Sequence, residues 1–255
     1  MPAPRDENFY KNRYIVAPMV RAGRTPLRLL CLEYGADLVY TEELVDQKLL
    51  SCKRIENEIL DTIDYVNADE VVLRIATKRE ADRIVLQIGT SSGQGAAAVA
   101  RMVGRDVAAI DVNMGCPKPF SIAGGMGAAL LTRPDKIKEI LTALVEASQV
   151  PVTAKIRLRN DPKDTLALVE LIESCGVSAI GVHGRRRDER NPDRCREEEI
   201  AEVVKYAKVP IIANGGSGSI LTFDDIEKFR QQTTASSVMI ARKALCTPSI
   251  FWQRR

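Results

Sequence analysis

The stretch Asp111-Val112-Asn113-Met114-Gly115-Cys116-Pro117-Lys118 decides how this chain is read. An apolar run from Val107 to Val112 ends here in a polar residue, a glycine, a cysteine and a proline. Locally this is a buried strand that stops abruptly in a tight turn. Gly115 permits backbone angles closed to other residues. Pro117 drives Cys116 towards an extended conformation. The turn therefore holds one thiol rigidly, just past a strand end, with the Asn113 amide beside it. Two roles stay open for Cys116 at this point, a small packing residue or a catalytic acid.

Outward from this strand, similar runs rich in Val and Ile recur at Tyr14–Met19, Asp37–Thr41, Ile84–Ile88, Ala108–Asn113, Pro151–Ile156, Ala179–His183, Pro210–Asn214 and Val238–Ala241. They are nearly continuous rather than alternating, the mark of strands buried on both faces. Between them lie amphipathic stretches of helical length: Thr25–Tyr34, Ala96–Val103, Pro134–Ala147, Lys163–Cys175, Glu197–Ala207 and Phe223–Gln232. The first has Pro26 near its start and Gly35 just past its end, the usual helix punctuation. Eight such runs alternating with helices predict a (β/α)8 TIM barrel. A doubly wound open sheet is the competitor, but it needs fewer strands and the chain shows no linker. Val71–Ala76 is expected as one extra strand, and Gly115–Gly127 as a long loop of the functional kind.

Composition sets limits. The net charge of +3 over 255 residues does not demand a nucleic-acid partner, although a local basic patch is compatible with it. No apolar run is long enough to span a membrane, and residues 1–12 form a polar segment without a signal-peptide core. The six cysteines are scattered and the chain has one histidine, so no zinc cluster is expected. Reduced thiols in a cytoplasmic protein are expected instead.

In such barrels chemistry sits at the carboxyl ends of the strands. Reading those ends gives Pro18-Met19-Val20, Glu42-Glu43, Gln87, Asn113 with Cys116, Lys155, His183, Asn214-Gly215-Gly216 and Ala241-Arg242. A lysine closing an apolar run is costly unless it has a task, and Lys155 reads either as a surface lysine or as a cation poised over a cofactor. The glycine-rich loop after the seventh run, with Arg242 after the eighth, matches the usual phosphate site of barrels. Gly124-Gly125-Met126-Gly127 fails as a dinucleotide fingerprint because it does not follow a strand directly. The basic run Arg185–Arg190 follows the sixth strand and reads as a solvated loop or as a phosphate contact.

Taken in order, Ala17-Pro18-Met19-Val20-Arg21, the Cys116 stretch, Gly124-Gly125-Met126-Gly127-Ala128-Ala129-Leu130, Val182-His183-Gly184-Arg185 and Ala213-Asn214-Gly215-Gly216 resemble the tRNA-dihydrouridine synthase family, nearest its eukaryotic position-20 branch. The resemblance implies an FMN-binding catalytic barrel over residues 13–255 that uses NADPH to reduce a D-loop uridine of tRNA. It implies that Cys116 is the proton donor and that Pro18, Met19 and Val20 line the flavin. Gln87 would bond the ring edge, Lys155 would face the N1/O2 region, and His183 would hold the cofactor. Asn214, Gly215, Gly216, Ala241 and Arg242 would hold its phosphate. Asn113 and Arg185 would orient the uracil. A monomer is expected. The family carries a helical RNA-binding domain after the barrel, and this chain stops near where the last barrel helix begins. Two rival readings follow from that. One is an FMN oxidoreductase acting on a free pyrimidine or small enone; the other is a non-catalytic form acting in RNA interaction or regulation.

Overall fold

The computed structural model describes residues 8–68, 70–190 and 193–253, so residues 1–7 of the polar N-terminal segment lie outside the described part. Eight parallel strands form the barrel: β1 (Tyr14–Val16), β2 (Leu38–Tyr40), β3 (Ile84–Gly89), β4 (Ala109–Asn113), β5 (Val152–Arg157), β6 (Ala179–His183), β7 (Ile211–Asn214) and β8 (Ser237–Ile240). Strand β1 pairs with both β2 and β8, and the pairs Val39–Ile84 and Tyr40–Val85 join β2 to β3 and close the ring. Helices α1 (Thr25–Glu33), α2 (Gly93–Val103), α3 (Pro134–Ala147), α4 (Pro162–Ser174), α5 (Glu197–Tyr206) and α6 (Phe223–Thr233) surround it. The expected (β/α)8 barrel is the fold, and each strand lies on one of the eight expected runs.

The outward faces of the strands are apolar because the helices cover them. Outward residues such as Leu86, Ile88, Ile110, Val112, Ile156 and Val182 pack in the core beneath the helices. Inward residues Ile15, Tyr40, Val85, Ala109, Ile212 and Met239 fill the lower barrel together with Tyr10. Side chains alternate along a strand, so the inward set of β4 runs Ala109, Asp111, Asn113, and that of β5 runs Thr153, Lys155, Arg157. The interior thus changes from apolar at the bottom to polar at the carboxyl ends.

Two regions differ from the sequence expectation. The single extra strand expected at Val71–Ala76 is Glu70–Ala76, the last strand of a three-stranded antiparallel sheet that also contains Lys53–Asn57 and Thr62–Asn67. Lys53–Asn57 has no buried residue, so it leaves no apolar period to read. This sheet is tied to α1 by Arg28, whose guanidinium meets the Glu80 carboxylate twice at 2.8 Å and also reaches the Gly23 and Arg74 carbonyls. The expected loop Gly115–Gly127 contains a short helix, Pro119–Ala123, and leads into a 3-10 turn, Gly127–Thr132. After β8 come a short helix, Arg242–Cys246, and a turn, Pro248–Phe251, whose Ile250 and Phe251 are buried. Among the described residues no helix is long and apolar enough to cross a membrane.

Candidate active site

The strand ends surround a cavity of about 210 Å³ lined by Pro18, Val20, Glu43, Gln87, Asn113, Cys116, Lys155, Arg157, His183, Asn214 and Ala241, among others. Most residues singled out at the strand ends therefore meet in one place. Met19 does not line the cavity and packs, partly buried, against the main hydrophobic core.

The Cys116 turn is built from its own residues. The Asn113 carbonyl oxygen accepts from the Gly115 and Cys116 N–H groups at 3.0 and 3.1 Å, which fixes the amide and leaves its NH₂ for the cavity. Arg157 donates to the Gly115 carbonyl at 2.8 Å, and the Ala128 N–H donates to the Cys116 carbonyl at 2.9 Å. Gly127 has a φ of +58°, and a Cβ there would lie 2.6 Å from the Cys116 oxygen. The glycine motif that failed as a nucleotide loop is thus the surface on which the thiol turn rests. Burial pushes the Cys116 thiol above the usual thiol range, and the Glu43 carboxylate pushes it further, with Lys118 and Ser121 opposing. At neutral pH the group is a protonated thiol, fit to give a proton rather than to attack as a nucleophile.

Beneath the cavity lies a buried polar chain. Asp111, 1 % exposed, accepts from the Gln87 amide at 2.8 Å and from the Thr153 hydroxyl at 2.6 Å. A carboxylate only accepts, so Gln87 donates through its NH₂ and its carbonyl oxygen stays available to a donor in the cavity. Burial raises the Asp111 carboxyl and lowers the Lys155 ammonium, while their mutual attraction opposes both shifts. The Lys155 ammonium makes no hydrogen bond among the described residues, and Gly181 opposite it gives its stem room, since a Cβ there would lie 3.1 Å from the Lys155 Cγ.

His183 is held neutral by burial and by Lys155, Arg157, Arg185 and Arg242 around it. Its Nε2 lies 3.3 Å from the Arg185 guanidinium, which can only donate, so the ring proton sits on Nδ1. Arg185 itself is 4 % exposed and donates to the Gly215 and Asp193 carbonyls. It braces the glycine loop and does not line the cavity; Arg157, two residues past Lys155 on the same inward face, lines it instead. Arg186 is engaged by Glu199. Sequence reasoning missed Arg157, although the two-residue strand period from Lys155 points to it.

Gly215 has a φ of +126°, and a Cβ there would lie 2.7 Å from the Cys195 sulfur. Only glycine suits that position. Asn214 donates to the Met239 carbonyl at 2.8 Å and locks the end of β7 against β8. Arg242 is exposed and has no acidic partner among the described residues. A bare glycine loop beside an unpaired guanidinium suits a phosphate group. The cavity itself is smaller than the roughly 300–1,000 Å³ of whole-ligand clefts, so its size suits a ring system, and Gly215, Gly216 and Arg242 follow directly on its lining residues Asn214 and Ala241. The residues present fit a flavin mononucleotide.

Comparison with known proteins places these residues in context. Residues 15–255 match the family model described as dihydrouridine synthase. The chain is 38 % identical over 256 residues to the tRNA-dihydrouridine(20) synthase (NAD(P)+) of Saccharomyces cerevisiae, covering 95 % of this chain and 67 % of that one. It is 40 % identical over 254 residues to the protein of the same name from Schizosaccharomyces pombe, covering 95 % of this chain and 52 % of that one. The chain thus spans between half and two thirds of these relatives. Among solved structures, DHODH in complex with ferulenol from Eimeria tenella aligns with a TM-score of 0.64 at 14 % identity, covering 98 % of this chain and 84 % of that one. That likeness concerns the fold alone.

Proposed function

The chain belongs to the dihydrouridine synthase family, and from that premise we propose that it reduces a D-loop uridine of tRNA, at position 20, to 5,6-dihydrouridine, with FMN as cofactor and NADPH as reductant. The observation that carries this reading is the rigid, protonated Cys116 thiol on one wall of a ring-sized cavity whose other walls present Lys155, Gln87 and the Pro18–Val20 turn. The names of the two yeast relatives support the substrate and the nicotinamide reductant.

A bound FMN, recharged by NADPH, would supply a hydride to C6 of the uracil. Addition at C6 leaves negative charge spread over C5 and O4, and Cys116 quenches it by giving its proton to C5. The uridine is splayed out of the D-loop to enter the cavity, as loop bases are in sequence-specific RNA recognition. Lys155 would hold a positive charge towards the flavin ring, where it would stabilise negative charge. The Gln87 carbonyl would accept from a ring N–H, because Asp111 occupies its amide. His183 would offer its Nδ1–H, and Arg242 with the Gly215–Gly216 loop would hold the phosphate. Arg157 and one N–H of the Asn113 amide would face the substrate, while Arg185 would hold the Gly215 loop that receives the phosphate.

A visible absorption spectrum of the purified chain with added FMN tests the cofactor half of this reading. A bound-flavin spectrum that bleaches when NADPH is added under anaerobic conditions and recovers when unmodified tRNA follows is the expected result. Recovery with free uracil, and none with tRNA, would favour a small-molecule reductase.

A further inference from the structure

Glu43, three residues past β2, is a strand-end group that the chemistry above leaves unused. Both its carboxylate oxygens are buried, and neither has a hydrogen-bond partner among the described residues. Buried carboxylates are normally paired, so an orphan in a cavity wall marks a working site. Glu43 lines the same cavity as Asn113 and Cys116. The end of β3 leaves space for it, since a Cβ on Gly89 would lie 2.6 Å from its Oε1. The Asn113 carbonyl is committed to the turn, so only the Asn113 NH₂ and the Cys116 thiol face Glu43 as donors. Among the described residues Lys118 acts on both Glu43 and Cys116, and Lys155 and Arg157 also feel the thiol.

We propose that Glu43 is the proton reservoir of Cys116: it keeps the thiol protonated at rest and returns a proton to it after every turnover. The inference rests on Cys116 being the proton donor of the reaction. When the thiol gives its proton to C5, a C–H bond forms and a thiolate is left beside a carboxylate. Two adjacent anions raise the proton affinity of both, and Glu43 takes a proton from water through the open cavity. The carboxylic acid then passes that proton to sulfur, which restores thiol and carboxylate. One solvent proton is consumed per uridine, and no other reactant is needed.

The test uses the full chain loaded with FMN and compares Glu43→Gln with Glu43→Asp. Alkylation of Cys116 by iodoacetamide is followed across pH by mass spectrometry of its peptide. Glu43→Gln removes the negative charge, so more of the thiol ionises and Cys116 should alkylate about tenfold faster near neutral pH. Glu43→Asp should stay close to the wild type. With pre-reduced enzyme and tRNA, Glu43→Gln should complete its first turnover at the wild-type rate and slow on later ones. An unchanged alkylation profile overturns the proposal. Equal slowing of first and later turnovers also overturns it and assigns Glu43 to substrate binding. Wild-type enzyme that alkylates as expected but reduces no tRNA uridine would instead refute the proposed function.

Discussion

Two hollows of the molecule form a contrast, and the larger of the two is the less reactive. Between α1 and the inserted antiparallel sheet lies a cavity of about 550 Å³. The basic residues lining it are Arg24, Arg28, Arg74, Lys78 and Arg79, and each is ion-paired, to Glu42, Glu80, Asp64, Asp61 and Glu33 respectively. At the barrel mouth the cavity is less than half that size, yet the Lys155 ammonium makes no hydrogen bond and the Glu43 carboxylate has no hydrogen-bond partner among the described residues. Charges that are satisfied hold parts together. Charges kept unsatisfied at the end of a rigid barrel are held for a ligand.

The comparison breaks most visibly at Glu80. Glu80→Ala strands Arg28 in the core, and breaking a buried pair costs about 3–5 kcal/mol. Thermal unfolding should show a large fall in Tm, while whatever protein stays folded keeps its flavin affinity. Lys155→Met should do the reverse. The folded chain loses a charge that burial disfavours, so denaturant midpoints hold or rise, while the reduction rate falls about 10²–10³-fold, the usual loss for one preorganised electrostatic group. If the Glu80 change abolished flavin binding and the Lys155 change left the rate alone, the division between scaffold and site would be wrong.

Asp111→Asn sharpens the contrast because Asp111 belongs partly to each class. Burial raises its carboxyl to about 6, so the folded chain holds that proton more tightly than the unfolded chain. Its contribution to stability is full below the unfolded carboxyl value near 4 and is lost as pH rises through the raised folded value. The Asn variant should flatten that part of the stability curve, a change on the order of 3 kcal/mol between its two ends, measured by urea unfolding across pH. It also frees the Gln87 amide to turn, so FMN affinity should fall several-fold. A variant with unchanged affinity would show that Gln87 needs no anchor.

The same division explains what the sequence could reveal. The eight strands were legible because burial on both faces makes each an unbroken Val/Ile run. The mouth was legible because polar residues interrupt those runs at Gln87, Asn113, Lys155, His183 and Asn214. The inserted sheet was mostly hidden, since Lys53–Asn57 buries nothing. Arg185 shows the limit of reading by position. It follows a strand end, yet its guanidinium is taken up by the Gly215 and Asp193 carbonyls. Whether a charge is satisfied depends on partners brought in from distant strands, and no local pattern records that. Glu43 was visible as a strand end, but its lack of a partner is a property of the folded chain.

The central claim is that Cys116 gives the proton that completes uridine reduction. Its most direct test is a single-turnover reaction of FMN-loaded, NADPH-reduced Cys116→Ala with unmodified tRNA, with dihydrouridine measured by mass spectrometry. The account predicts flavin binding and NADPH oxidation like the wild type, with dihydrouridine formation lost. Dihydrouridine formed at the wild-type rate by that variant would contradict it.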